Sequence, residues 1–195
     1  MKVWTVQPEW IWHQLQWDGV LSGPQASEIE GAEFLTAYDW IVAQMEQCLG
    51  PPPQAGRYPL WVWHQWQNAK QRRPDLQHAG HMTRGMRGVR LECDIDERDL
   101  LLSRFDMWHA VLNNGYLSVD EEDHTAFDAA CESRGCDEAV SQFRKRITSS
   151  WERVFDLDRV FPDQWYAPRA DSGIQGTFWV LHLEQVYTVK TFTSR

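Results

Sequence analysis

The chain has few of the features that mark membrane or secreted proteins. Its apolar runs are shorter than the ~18 residues needed to cross a bilayer, and it lacks an N-terminal signal-peptide pattern. Four cysteines occur in 195 residues, at Cys48, Cys93, Cys131 and Cys136. Cys131 and Cys136 have no second pair at metal-binding spacing, which argues against zinc. We therefore expect a cytoplasmic protein with reduced thiols, no metal and no membrane partner.

The common motifs of phosphate binding and hydrolysis are also missing. The sequence has neither the Walker spacing nor GxGxxG, and it has no GxSxG nucleophile elbow. His78 and His81 form a two-ligand fragment without the HExxH spacing of zinc enzymes. Cys93 falls at an inward position of a predicted strand, where a thiol is typically inert. Any catalysis must use residues outside these motifs.

Positive charge is scarce. The net charge of −9 at pH 7 argues against a surface covered with basic residues that bind nucleic acid. The charges are unevenly distributed: residues 70–90 hold six bases and one acid, whereas residues 92–123 hold ten acids and two bases. Such asymmetry is typical of two solvated faces, and it also fits a local anion site in an acidic protein.

Tryptophan, in contrast, is abundant. The chain contains 12 tryptophans, and 43% of its residues are hydrophobic. Burial of apolar surface contributes roughly 25 cal/mol per Å², so most of these rings are expected in the core. Because a buried indole N–H also needs a hydrogen-bond partner, some of the rings are expected to line a ligand cleft. The length predicts a single domain over residues 1–195.

The opening stretch, residues 3–21, predicts a strand, a helix and a turn. Residues 3–6 are β-branched or aromatic, which favours a half-buried strand. Pro8 suits the first turn of a helix, and Gly19 is able to end that helix with a positive φ. The stretch supplies core in the simplest interpretation, and we expect it also to form one wall of a cleft.

Hydrophobic periodicity predicts the remaining elements. Helices are predicted within residues 31–50, 103–113, 118–133 and 137–155, and strands over 58–66, 89–95, 100–102, 174–184 and 186–192. A turn at Glu184 and Gln185 predicts a hairpin between the last two strands. Strands at both ends with helices between them favour an α+β fold with a mixed or antiparallel sheet. Residues 118–157 are predicted to be a helical insertion or subdomain.

Two polar regions are candidates for a site. The long segment 68–88 places glycines among Arg84 and Arg87, so its main-chain N–H groups and side chains suit a phosphate. A disordered surface loop is the alternative interpretation. In the helix 103–113, Asp106 and His109 share a face with Asn113, an arrangement that suits a base or ligand contact and also an ordinary polar surface.

Segments at both ends resemble small bacterial ADP-ribosyltransferase-like proteins. The strand 3–6, followed by Pro8-Glu9-Trp10 and a helix ending in glycine, is similar to their opening, and residues 174–180 and 186–190 are similar to their late strands. The resemblance implies that the first strand bears a His or Arg for the NAD ribose. It also implies a late-strand glutamate that supports an oxocarbenium-like transition state.

This chain has different residues at the matching positions. Thr5 stands where the His or Arg is expected, and Thr177 stands where the glutamate is expected, with Gln175 on the same face. A threonine does not supply the charge of a carboxylate. The candidates for a replacement carboxylate are Asp75, Asp94, Asp106 and Glu184.

The chain as a whole also resembles a family of small bacterial proteins of unknown function. The segments that carry this second resemblance are WTVQ at 4–7, AYDW at 37–40, RPDL at 73–76, LLSRFDMWHAVLN at 101–113 and SWERVFDL at 150–157. This resemblance covers most of the chain and implies no activity.

Together these observations predict an ADP-ribosyltransferase-like protein that binds NAD or a related nucleotide and transfers ADP-ribose to a protein or nucleic acid, as a toxin or defence factor does. The predicted catalytic residues are Gln175, Thr177, Asp106 and His109. The predicted cofactor-binding residues are Thr5, Gln7, Trp63, Arg73, Arg84 and Arg87. Two alternatives remain: a non-catalytic module that binds a small ligand or partner, and a nucleic-acid-processing protein that uses the basic segment 70–90.

Overall fold

The computed structural model describes residues 1–29, 31–133, 136–162 and 165–195, with side chains throughout except at 32 and 136–142. The thiol of Cys136 lies outside these residues. The strands are β1 (Lys2–Pro8), β2 (Val20–Ser22), β3 (Leu60–Gln65), β4 (Arg87–Asp94), β5 (Leu101–Arg104), β6 (Ile174–Phe178), β7 (Val180–His182) and β8 (Val186–Thr193). The α-helices are α1 (Glu9–Asp18), α2 (Leu35–Leu49), α3 (Phe105–Leu112), α4 (Glu121–Glu132) and α5 (Cys136–Ser150).

Six strands form one sheet in the order β5-β6-β3-β1-β4-β8, and β2 pairs with β7 in a separate ribbon. Every pairing between neighbouring strands is antiparallel. The first strand therefore lies in the interior of the sheet, between β3 and β4, and the C-terminal segment supplies strands on both sides of it. The predicted α+β class with a largely antiparallel sheet is confirmed.

The strand–helix–turn unit at the start of the chain forms as its residues predict. Helix α1 follows directly from β1 after Pro8, with Glu9 in its first turn, where the helix dipole favours an acid. The helix ends at Gly19, whose φ is 73° and whose N–H donates to the carbonyl of Leu15 at 2.9 Å. This left-handed conformation is easily adopted by glycine, which has no Cβ.

One face of the sheet packs against α1 and the β2–β7 ribbon. Strand alternation places Val89, Leu91 and Cys93 of β4 on this face, and all three are fully buried. Burial raises the pKa of the Cys93 thiol to about 12, with a smaller contribution from the nearby Glu92 carboxylate. The thiol is therefore protonated and forms part of the core, as the strand pattern predicts.

The opposite face of the sheet is covered by helices. Helices α2 and α3 contribute Ile41, Met45, Met107 and Val111 to a second core, which also includes Trp151 of the 3₁₀ helix Trp151–Phe155. Phe127 of α4 and Ile147 of α5 belong to the same core. The predicted helical segment 118–157 thus packs continuously with the earlier helices. Within the described residues, no helix combines the length and apolar character required to span a bilayer.

The predicted C-terminal hairpin is wrong. Strand β6 pairs with β3 and β5, the next strand β7 pairs with β2, and β8 pairs with β4 at the far edge of the sheet. The 3₁₀ helix Leu183–Gln185 connects β7 to β8, so the chain changes partner at each step. Alternation of side chains predicts a strand but does not identify its neighbour.

Candidate aromatic cleft

A cleft of about 670 Å³ opens between β1, β3, the segment 66–81 and the start of α3. We call it the aromatic cleft. Its lining consists of Thr5, Val6, Gln7, Trp61, Trp63, Trp66, Gln67, His78, Gly80, His81, Phe105, Asp106 and Gly173. Because six of these residues carry aromatic rings, the cleft presents far more ring surface than a typical polar groove.

The aromatic rings contact one another along the cleft. The ring centroids of Trp63 and Trp66 lie 4.5 Å apart, and those of Trp63 and Phe105 lie 4.7 Å apart, both in edge-to-face geometry. The His81 ring continues the row, with its centroid 5.0 Å from that of Trp66. Such contacts stabilise each ring by placing its positive edge on a negative face, so the wall of the cleft is preorganised.

Local sequence explains how these side chains reach the cleft. In β3, alternation directs Leu60 and Val62 into the core under α1, while Trp61 packs against the helical core on the other face. Phe105 and Asp106 are the first two residues of α3, immediately after β5. The Asp106 carboxylate suits the positive end of that helix, and its Oδ1 accepts from the N–H of Met107 at 3.0 Å.

The segment after β3, residues 66–81, forms one side of the cleft and contains neither a helix nor a strand. The main-chain N–H of Trp66 donates to the carbonyl of Arg72 at 2.8 Å. Nη1 of Arg90 donates to the carbonyl of Pro74 at 2.6 Å. His81 Nε2 donates to the carbonyl of Asp75 at 2.7 Å. These bonds position the histidine rings beside Trp66.

Two buried donors at the cleft have no acceptor in the described part of the chain. They are the indole N–H groups of Trp61 and Trp66. Leaving such a donor without a partner costs about 1–3 kcal/mol. Both tryptophans line the cleft, so an acceptor atom from water or from a ligand would offset that cost.

Four predicted site residues meet in the cleft. Thr5 and Gln7 of β1, Trp63 of β3 and Asp106 of α3 all line it, although they are widely separated in sequence. The Thr5 hydroxyl accepts from the Gln7 side-chain amide at 2.8 Å, which fixes both groups. His109 lies one turn beyond Phe105, with its exposed ring 4.9 Å from the Phe105 ring, and it is outside the lining.

Gln175 and Thr177 lie in the sheet, away from the cleft lining. Thr177 is fully buried, and its hydroxyl donates to the carbonyl of Leu101 at 3.3 Å. Gln175 is 5% exposed and lies between Trp63 on β3 and Ser103 on β5 in the strand register.

The predicted diphosphate-binding arginines lie on the surface. Arg73, Arg84 and Arg87 are exposed and do not contribute to the lining of the cleft. Arg87 pairs with Glu9 of α1 at 2.7 Å. The basic segment 70–90 is thus largely solvated, and its partly buried members Arg72 and Arg90 hold main-chain carbonyls.

Sequence reasoning missed several residues of the cleft. Trp66, Phe105 and Gly173 received no functional interpretation, and His78 and His81 were considered for a metal. In the described part of the chain, no group of three or more His, Cys, Asp or Glu side chains is placed to hold a metal ion. The close spacing of tryptophans at 61–66 could have indicated an aromatic site. The contribution of His78 and His81 depends on the path of the loop in space, which the sequence pattern does not predict.

His64, at the end of β3, is held neutral by its surroundings. Burial and the positive charge of Arg72 lower the pKa of His64 to about 4, with smaller contributions from Arg169 and the N-terminal amine. The Arg72 Nη2 lies 3.1 Å from Nδ1 of the ring, and Arg72 Nε donates to the His64 carbonyl. The guanidinium also lies over the ring of Trp4.

Acidification from pH 6.5 to pH 4 is expected to destabilise the protein through His64. In this window the unfolded chain binds a proton on His64 and the folded chain does not, so stability rises with pH. One such group changes stability by at most about 1.4 kcal/mol per pH unit, less here because the ring is half-buried. Urea unfolding at several pH values should show a weaker pH dependence in His64→Gln. If the pH dependence of stability is the same in His64→Gln and the unmodified protein, the role assigned to His64 is wrong.

Comparison with known protein families gives one match. The family described as "Domain of unknown function (DUF3841)" matches residues 2–187 of the chain. No curated protein and no solved structure matches it. The match confirms the expected resemblance to a family of proteins of unknown function, and because it extends over almost the whole sequence, this chain belongs to the DUF3841 family.

Proposed function

We propose that the aromatic cleft binds NAD or a related nucleotide, with a base stacked on Trp63 or Trp66. The observation that carries the proposal is the row of contacting rings along the cleft. Stacking of a base on an aromatic side chain contributes about 1–3 kcal/mol and tolerates any base, since every base has a π face.

The size and polar groups of the cleft support a small ligand of this kind. Its volume of about 670 Å³ lies within the roughly 300–1,000 Å³ of known ligand sites. The indole N–H groups of Trp61 and Trp66 have no acceptor among the described residues, and Gln7 and Gln67 add amides to the lining. A ligand that combines a flat ring with oxygen acceptors would use both features.

Replacing Trp63 by leucine is expected to weaken NAD binding by roughly 5- to 150-fold, because the variant loses one stacking surface. Calorimetric titration with NAD at millimolar concentration measures this. Trp17→Leu is the matched control, since Trp17 is 91% exposed on α1 and lies outside the cleft lining. Absence of heat with the unmodified protein, or equal affinity in both variants, would contradict nucleotide binding.

A second candidate function is transfer of ADP-ribose to a protein or nucleic acid. One observation favours it: Asp106 is the carboxylate of the cleft lining within the described residues. In this transfer the bond between the ribose and nicotinamide breaks, nicotinamide leaves, and a nucleophilic atom of the target bonds to the ribose carbon and loses its proton. A carboxylate beside the ribose would stabilise the positive charge that develops there.

Asp106→Asn is expected to reduce such transfer by about 10²–10³-fold, the usual cost of removing one electrostatic stabiliser. Labelled NAD incubated with a cell lysate reports the transfer. Asp99→Asn is the control, because it removes the same charge at an exposed position outside the cleft lining. Binding of NAD without any label transfer would favour a non-catalytic binding module. The burial of Gln175 and Thr177 away from the cleft lining also supports that alternative.

A further inference from the structure

We infer that the aromatic cleft selects ligands that carry a quaternary ammonium group. The inference concerns the charge of the group that enters the cleft and does not depend on nucleotide binding. It combines two features of the cleft: the carboxylate in its lining and its ring surface.

The charged side chain of the cleft is acidic. Among the residues that the structure describes, the lining contains one carboxylate, Asp106, and neither lysine nor arginine. The Asp106 side chain is exposed, and the hydrogen bond it accepts comes from a neutral main-chain N–H, that of Met107. The chain as a whole carries a net charge of −9. A cationic group beside Asp106 would therefore meet an attractive potential.

The two histidines of the lining are held by main-chain groups. The N–H of Gly80 donates to Nδ1 of His78 at 3.1 Å, and Nε2–H of His81 donates to the carbonyl of Asp75 at 2.7 Å. Nearby arginines are engaged elsewhere: Arg72 with His64, and Arg90 with Pro74.

The rings provide the rest of the recognition. A cation is attracted to an aromatic face when it lies within about 6 Å of the ring centroid. Adjacent centroids along the cleft are 4.5 to 5.0 Å apart, so a group that contacts Trp63 also comes close to Phe105 or Trp66. A quaternary ammonium has no N–H group to satisfy, whereas a primary ammonium must find three acceptors. A lining of rings with one carboxylate suits the former.

Choline and its neutral carbon analogue 3,3-dimethylbutan-1-ol provide a test, because they have the same shape and differ in charge. Titrations at pH 8, followed by tryptophan fluorescence, are expected to give choline at least a tenfold higher affinity, the effect of one desolvated cation–π contact. Asp106→Asn should lower choline affinity several-fold and leave the alcohol unaffected. Asp99→Asn should change neither.

Equal affinity for choline and the alcohol would overturn the inference, and so would the absence of choline binding at 100 mM. An unchanged preference for choline in both Asp106→Asn and Trp63→Leu would overturn it too, since the selectivity would then arise elsewhere. The result is separable from the nucleotide proposal. If the protein prefers choline but does not bind NAD, only the nucleotide proposal fails. If it binds NAD but does not prefer choline, only the selectivity for quaternary ammonium groups fails.

Discussion

Replacing Arg104 by methionine is expected to lower the free energy of unfolding by roughly 3–5 kcal/mol. Arg104 is fully buried at the end of β5, and within the described residues its hydrogen-bond partners are main-chain carbonyls and a hydroxyl, with no carboxylate among them. Its Nη1 donates to the carbonyl of Ala167 at 2.7 Å, and Nη2 donates to the carbonyls of Leu157 and Arg159, each at 3.1 Å. Methionine fills similar space but removes the donor from each of these part-buried carbonyls.

The same change is expected to weaken ligand binding indirectly. Arg104 holds the segment that leads to Gly173, and it directly precedes Phe105 and Asp106, so it fixes three residues of the cleft. Urea unfolding measures the loss of stability, with Arg84→Met as the matched control at an exposed position, where a change within about 0.5 kcal/mol is expected. If both variants unfold at the same urea concentration, the stabilising role assigned to the hydrogen bonds of Arg104 is wrong.

Trp151→Ala is expected to cost about 3–5 kcal/mol of stability, the usual range for removing a large buried ring. Trp151 is 1% exposed, and its indole N–H donates to the carbonyl of Gly115 at 2.8 Å. Its ring meets that of Trp40 on α2 edge to face, with centroids 5.5 Å apart. The alanine variant loses both contacts and leaves a cavity in the helical core.

Thermal or urea unfolding measures this loss, and the chain offers a matched control. Trp17→Ala makes the same chemical change at a 91% exposed position, so a shift within about 0.5 kcal/mol is expected. Trp151→Phe retains most of the ring and should fall between the two. A similar shift for Trp151→Ala and Trp17→Ala would contradict the placement of Trp151 in the core.

The sequence predicts those parts of the fold that short-range physics decides. The helix after Pro8 ends at Gly19 because the backbone needs a positive φ there, and glycine adopts it without a Cβ clash. Strand β4 buries Val89, Leu91 and Cys93 because every second side chain faces the same side. Each of these outcomes depends on residues within a few positions of one another, so the pattern in the sequence is sufficient.

The partners of those elements depend on contacts between distant residues. The same alternation that predicts strands in 174–192 fits a hairpin, but β6, β7 and β8 pair with three different regions of the chain. Likewise, Gln175 and Trp63 are cross-strand neighbours, yet Trp63 lines the cleft while Gln175 is buried outside the lining. Strand neighbours follow from the packing of the whole sheet, which no local pattern contains.

The sequence by itself therefore determined the α+β class and most helices and strands. It named Thr5, Gln7, Trp63 and Asp106, which line the cleft, together with other residues that lie outside the lining. Only the tertiary structure decided that Trp66, His78, His81 and Phe105 complete it, and that Thr177 does not take part. The physical reason is that segment 66–81 has no hydrophobic periodicity from which its structure could be predicted. Its path is fixed by hydrogen bonds such as that from Arg90 to Pro74, which join residues far apart along the chain.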